Sequence, residues 1–210
     1  MIRPRRLVFV GGTATEVGKT WWTAATAREL RVTGAHVAAR KPVQSGEPGA
    51  VTDAEVLAAA TGEDPDTVCS PHRTYSLAWA PPMAARELGE PAFTAADLVG
   101  GIVWPGGVDV GLVEGVGGPR SPISDDGDNV DLAHQLAPDL VVVVGDAGLG
   151  AINAVRLSVA AFADFPVVVA LNRFTHEPLP ERNRTHLVEH EGLDVVTEPR
   201  VLAARLRLPS

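Results

Sequence analysis

Cysteine is nearly missing from this chain: Cys69 stands alone among 210 residues. One thiol excludes an intrachain disulfide, and a reducing cytoplasm is the expected compartment. Long apolar runs are also missing. Residues 7–10 (Leu-Val-Phe-Val) give way at once to Gly11 and Gly12, whereas a secretory leader needs about 7–15 apolar residues. No leader is expected. The run at 140–144 is far short of the roughly 20 residues that cross a bilayer, so no membrane partner is expected. Positive charge is scarce as well. A formal charge of −8 and a pI near 5.2 disfavour a broad polyphosphate-binding surface, and no nucleic-acid partner is expected. A local basic pocket remains compatible with that balance. There is no internal repeat and no low-complexity tract.

What is present reads as one domain over residues 1–210, with enough chain for a substantial core. Apolar residues make up 45% and charged residues 21%, the proportions of an ordinary soluble fold. Strands are expected at 7–10, 36–39, 108–113, 140–144 and 167–171. Their apolar content is nearly continuous, as in strands buried on both faces. Helices are expected at 19–33, 53–60, 83–88, 95–101, 151–163 and 181–191. The alternation implies an α/β fold, doubly wound, with a mainly parallel sheet and helices on both faces. Pro and Gly cluster at 46–49, 81–82, 105–107 and 115–122, which suits turns and active-site loops.

The most informative stretch is Gly12-Thr13-Ala14-Thr15-Glu16-Val17-Gly18-Lys19-Thr20. It lies between an expected strand and an expected helix, the order of a phosphate-binding loop, and makes the fold P-loop NTPase-like. Backbone N–H groups and the helix dipole can surround a polyphosphate. Lys19 can reach outer phosphates, and the Thr20 hydroxyl can hold Mg²⁺. Five residues, not the usual four, separate Gly12 from Gly18. Further along, Lys41 ends the second strand, where a lysine can neutralise a transferring phosphate or a substrate anion. Thr52 or Asp53 opens the next helix as a cap. Glu114 ends a strand, and the following Gly115, Gly117 and Gly118 permit close backbone approach to a ligand. Thr20, Asp53 and Glu114 together form a candidate Mg²⁺ set.

These residues resemble the dethiobiotin synthetase family. The match runs through residues 12–20, 41–46, Asp53, 113–118, 122–125 and Leu149-Gly150-Ala151-Ile152-Asn153. The family is a homodimeric P-loop ligase that uses MgATP and CO₂ to close a cyclic urea on 7,8-diaminononanoate. The resemblance therefore implies ATP and Mg²⁺ as cofactors and a diamine and CO₂ as partners. It assigns Lys19, Lys41, Thr15 and Ser45 to catalysis. It assigns Gly12, Thr13, Glu16, Val17, Gly18, Lys19, Thr20, Glu114, Gly117 and Asn172 to the nucleotide. Thr15, Lys41, Ser45, Gly118, Leu149, Gly150, Ile152 and Asn153 would contact substrate, the last three from across the dimer. The implied course is amine carboxylation to a carbamate, phosphorylation of that carbamate, and ring closure by the second amine. Ala14 stands where many members carry aspartate, and Ala154 where histidine is common. Another amine or diamine is thus the alternative substrate.

Other signals have ordinary readings. His186, Glu189 and His190 fit H-x-x-E-H, but only 20 residues follow and a solvated helix face is expected. The acidic residues Asp125, Asp126, Asp128 and Asp131 miss EF-hand spacing. The four tryptophans are expected in packing or interfaces. A partitioning-type switch ATPase is the competing function. Such ATPases usually carry a further lysine near the start of the loop, where this chain has Gly11, Gly12 and Thr13. Residues 200–208 can form a basic amphipathic tail suited to such a switch, or a terminal helix packed on the sheet.

Overall fold

The computed structural model describes residues 3–208. Its elements run β1 (Arg6–Gly12), α1 (Lys19–Val32), β2 (Val37–Arg40), β3 (Gln44–Ser45), α2 (Asp53–Thr61), α3 (Pro65–Val68), β4 (Thr74–Tyr75), α4 (Pro81–Glu87) and α5 (Ala95–Gly100). They continue with β5 (Val110–Glu114), α6 (Asn129–Leu136), β6 (Leu140–Asp146), α7 (Ala151–Ala161), β7 (Val167–Asn172), α8 (Pro178–Glu189), β8 (Val195–Val196) and α9 (Pro199–Leu206). Six strands form one sheet in the order β2-β5-β1-β6-β7-β8, and every neighbouring pair is parallel.

Alternate residues of each strand enter opposite cores. Val8 and Val10 of β1 pack with Trp22, Leu30, Leu57 and Leu202. Leu7 and Phe9 pack on the other face with Phe93, Leu98, Leu132 and Phe162. This two-sided burial explains why the strands read as unbroken apolar runs, and burial of each large side chain contributes about 1.5–3 kcal/mol.

Several bounds differ from the sequence reading for identifiable reasons. Helices α4 and α8 begin earlier than expected, at Pro81 and Pro178, because proline fits the first helical turn, where its missing N–H has no partner to lose. Helix α6 escaped the reading inside the acidic loop. Asp128 caps it, and Asp131 completes a capping box. Asp125 and Asp126 accept the Phe93 and Ala95 N–H groups, so those acids organise backbone. At the C-terminal end, α9 buries Leu202, Ala203 and Leu206 in the core that α1 shares. That is the packed terminal helix, and its apolar face is not open to a membrane. Among the described residues, no helix is long and apolar enough to cross a bilayer.

Candidate functional site

Helix α1 begins at Lys19 behind Gly18, which has φ 95°, no capping side chain and no acid in the first turn. Its first N–H groups and the positive end of its dipole are thereby left to an anion. Glu16, also left-handed at φ 60°, winds the loop backward. Gly12 is sterically required: a Cβ there would lie 2.9 Å from Lys19 and Val17 side-chain carbons. Lys19 folds over its own loop, with Nζ donating to Ala14 O and Gly117 O, both at 3.1 Å. Burial, then repulsion from Lys41, lowers the Lys19 pKa to about 8.

Lys41 is the centre of the site. Its Nζ lies 2.7 Å from Asp53 Oδ2 and 2.8 Å from Glu114 Oε1, and donates to Gly115 O at 3.0 Å. The side chain is 2% exposed and that of Glu114 0%. Burial alone would discharge this ammonium, but Glu114 and Asp53 outweigh it and hold Lys41 protonated above the ordinary lysine range. Burial likewise raises Asp53, yet Lys41 and the Thr20 hydroxyl bring its carboxyl below the usual value. Thr52, not Asp53, caps α2, which leaves the Asp53 carboxylate to this cluster.

Thr20 Oγ1 sits 2.7 Å from Asp53 Oδ1 and 2.8 Å from Glu114 Oε1. One hydroxyl has one proton, so one of these oxygen pairs lacks a hydrogen between its members. Two carboxylates and a hydroxyl, all hard oxygen donors with that unmet contact, fit Mg²⁺. Thr23 was not singled out in the sequence; its Oγ1 reaches Glu114 Oε2 at 2.8 Å. Asn129 was also missed. Its side chain accepts from Val116 N and donates to Val116 O and Gly118 O, fixing the glycine loop after β5.

A cavity of about 590 Å³ opens on this cluster. Its walls include Thr15, Glu16, Gly18, Lys19, Thr20, Lys41, Ser45, Asp53 and Gly117, with an apolar side from Trp79, Pro81, Val116 and Pro122. Ser45 Oγ donates to Trp79 O at 2.6 Å. Thr13 N–H is committed to Val144 O, and Val17 packs beneath the loop. Gly118 approaches the same loop: a Cβ there would meet Thr13 O at 3.1 Å. Asn172 donates to Val17 O at 2.9 Å and so touches the phosphate loop. Leu149, Gly150, Ile152 and Asn153 are not among the lining residues of this cavity. They start α7, whose N-terminus has no side-chain cap and no acid, and Leu149 is 93% exposed. His186 and His190 stack at 5.0 Å on α8, apart from the cluster. A compositional signal for the site was available: the chain holds only two lysines against sixteen arginines, and both lysines line this cavity.

Comparison with known proteins adds an independent result. A family model described as an AAA domain matches residues 6–202. The chain is 35% identical over 209 residues to the ATP-dependent dethiobiotin synthetase of Haloferax mediterranei, covering 93% of this chain and 84% of that protein. It is 38% identical over 199 residues to the Rhodococcus jostii protein of the same name, covering 90% and 84%. Among solved structures, the 54 kDa signal recognition particle protein of Aeropyrum pernix superposes with a TM-score of 0.57 at 16% identity, covering 98% of this chain and 47% of that one. A Borrelia burgdorferi plasmid partition protein gives 0.56 at 11%, covering 97% and 96%. At such identities these two likenesses concern the fold alone.

Proposed function

This chain belongs to the ATP-dependent dethiobiotin synthetase family, and from that premise we propose that it carboxylates 7,8-diaminononanoate with CO₂ and closes the ureido ring at the expense of ATP. The 210 residues act as one ligase domain, in the cytoplasm, as one half of a homodimer. Lys41 carries the proposal: a buried ammonium held between Asp53 and Glu114 beside a phosphate loop is a charge placed for an anionic transition state.

One substrate amine adds CO₂ and loses a proton, giving a carbamate. A carbamate oxygen attacks the γ-phosphorus of ATP, ADP leaves, and a carbamic–phosphoric anhydride results. The second amine then attacks the carbonyl carbon and expels phosphate. Lys19 and the N–H groups of the loop bind the phosphates and stabilise charge as the phosphoryl group moves. Lys41 leaves its carboxylates in part to hold the carbamate and the transferring group, and Thr15 and Ser45 orient the same oxygens. Thr20, Asp53 and Glu114 would hold Mg²⁺, which when bound neutralises phosphate charge. The apolar wall of Trp79, Pro81 and Val116 suits the aliphatic part of the substrate. Its carboxylate would be received by Gly150, Ile152 and Asn153 at the α7 N-terminus of a second copy, with the exposed Leu149 beside it.

The test supplies labelled bicarbonate, ATP, Mg²⁺ and the diamine, and follows label uptake and phosphate release together. The expected result is a cyclic urea with one phosphate per ring, blocked by removal of either amine. Another amine that couples uptake to phosphate release, with no ring from diaminononanoate, would keep the ligase and replace its substrate. Phosphate release coupled to no amine would overturn the ligase reading.

A further inference from the structure

Two adjacent side chains at the end of β7 grip the phosphate loop from behind. Asn172 Nδ2 donates to Val17 O at 2.9 Å, and Arg173 Nη2 donates to Glu16 O at 3.0 Å. In a planar trans peptide the C=O and the next N–H point opposite ways. These two bonds therefore set the directions of the Val17 and Gly18 N–H groups, in the segment that winds around an anion.

Arg173 is itself braced. Its Nη1 lies 2.7 Å from Asp146 Oδ2, while Asp146 Oδ1 accepts the Gly148 N–H at 2.8 Å. The register pairs Asp146 with Asn172 across β6 and β7, so the strut stands on the sheet. Both ends of the loop contact have left-handed backbone, Glu16 at φ 60° and Arg173 at φ 54°. Non-glycine residues adopt that conformation rarely, and such strain persists where surrounding contacts over-determine it. The Arg173 fork meets its two acceptors, on separate elements, with two nitrogens held in one rigid plane, a spacing that the single nitrogen of a lysine does not reproduce.

We propose that Arg173, braced by Asp146, is a positioning residue for the nucleotide's phosphates: it aims loop N–H groups at the phosphates without touching them. The inference rests on the nucleotide-binding reading above. The Arg173 and Asp146 side chains are 60% and 45% exposed, so the effect is of moderate size, about fivefold in affinity.

The experiment measures the Kd of a non-hydrolysable ATP analogue with Mg²⁺ by calorimetry on the intact protein, and the KM values for ATP and diamine. Arg173→Gln should raise the analogue Kd and the ATP KM about fivefold and leave the diamine KM within about twofold. Asp146→Asn should shift them the same way by less. The double variant should be no worse than Arg173→Gln, because both act through one guanidinium. Arg173→Lys keeps the charge and loses the fork, so it should keep most of the defect. Wild-type affinity in Arg173→Lys would assign the effect to long-range charge and overturn the positioning role. Unchanged affinity in Arg173→Gln, or additive losses in the double variant, would overturn it as well. A wild-type protein that fails to bind the analogue would overturn the nucleotide reading itself, and the positioning role with it.

Discussion

Replacing Lys41 by methionine keeps a long apolar stem and deletes the ammonium. Glu114 would then be a carboxylate with 0% exposure and only hydroxyl partners, Thr20 and Thr23. Breaking a buried ion pair from one side costs about 3–5 kcal/mol, because the remaining charge stays desolvated. A domain whose total stability is about 5–15 kcal/mol keeps its fold but with a much lower denaturation midpoint. The Lys41 pKa is raised on folding. Its contribution is therefore fully present below the unfolded lysine value and is lost only as pH rises through the folded one, so urea unfolding at pH 7 reads all of it. Two controls isolate the cause. Lys41→Met combined with Glu114→Gln removes the stranded charge and should recover at least half of the loss. Mg²⁺ should restore stability to Lys41→Met more than to wild type, since the ammonium no longer competes for the carboxylates. With a Kd of about 1 mM, 10 mM Mg²⁺ would return about 1.4 kcal/mol. A loss below about 1 kcal/mol, or a double variant no more stable than the single one, would refute the reasoning.

The lowered pKa of Lys19, about 8 in the free protein, implies proton uptake on nucleotide binding. Above that pH the free amine must recharge to meet phosphate, so affinity should fall as pH rises through 8 and beyond. Calorimetry at pH 8.5 in buffers of different ionisation enthalpy should show uptake in wild type and none in Lys19→Met. Association is checked by light scattering: a dimer is expected, and Leu149→Asp, which charges the 93% exposed apolar residue, should weaken it and raise the diamine KM. A fully active monomer at assay concentration would contradict the second-copy assignment of Gly150–Asn153.

Much of the fold was legible because each central strand is buried on both faces, leaving nearly unbroken apolar runs such as Leu7–Val10. What was illegible was short or disguised. Strand β8 is two residues long and is a strand only because β7 is beside it. Helix α6 hid because its cap, Asp128, belongs to an acidic loop whose carboxylates read as potential ligands. The Pro81–Pro82 pair reads as a turn in the sequence, whereas in the first turn of α4 it is a start.

The phosphate loop was legible for a different reason: its chemistry is local, and contiguous residues build it. The ion cluster is not local. Lys41 and Glu114 are 73 residues apart, and they meet because β2 pairs with β5 in the register that sets Arg40 opposite Val113. The same strand pairs Glu114 with Val10 of β1, which brings the carboxylate to the base of the phosphate loop. A slip of one residue in either pairing would turn Glu114 to the opposite face of the sheet, leaving a lysine and a carboxylate with no common partner. Residue types can nominate Lys41, Asp53 and Glu114, but strand register makes them one electrostatic unit. The same limit hid Thr23, Asn129 and Arg173, whose work is to fix groups contributed by distant segments: Glu114 for Thr23, the glycine loop for Asn129 and the phosphate loop for Arg173. Their chemistry is ordinary in sequence and acquires a role only when the C-terminal ends of β1, β5 and β7 converge.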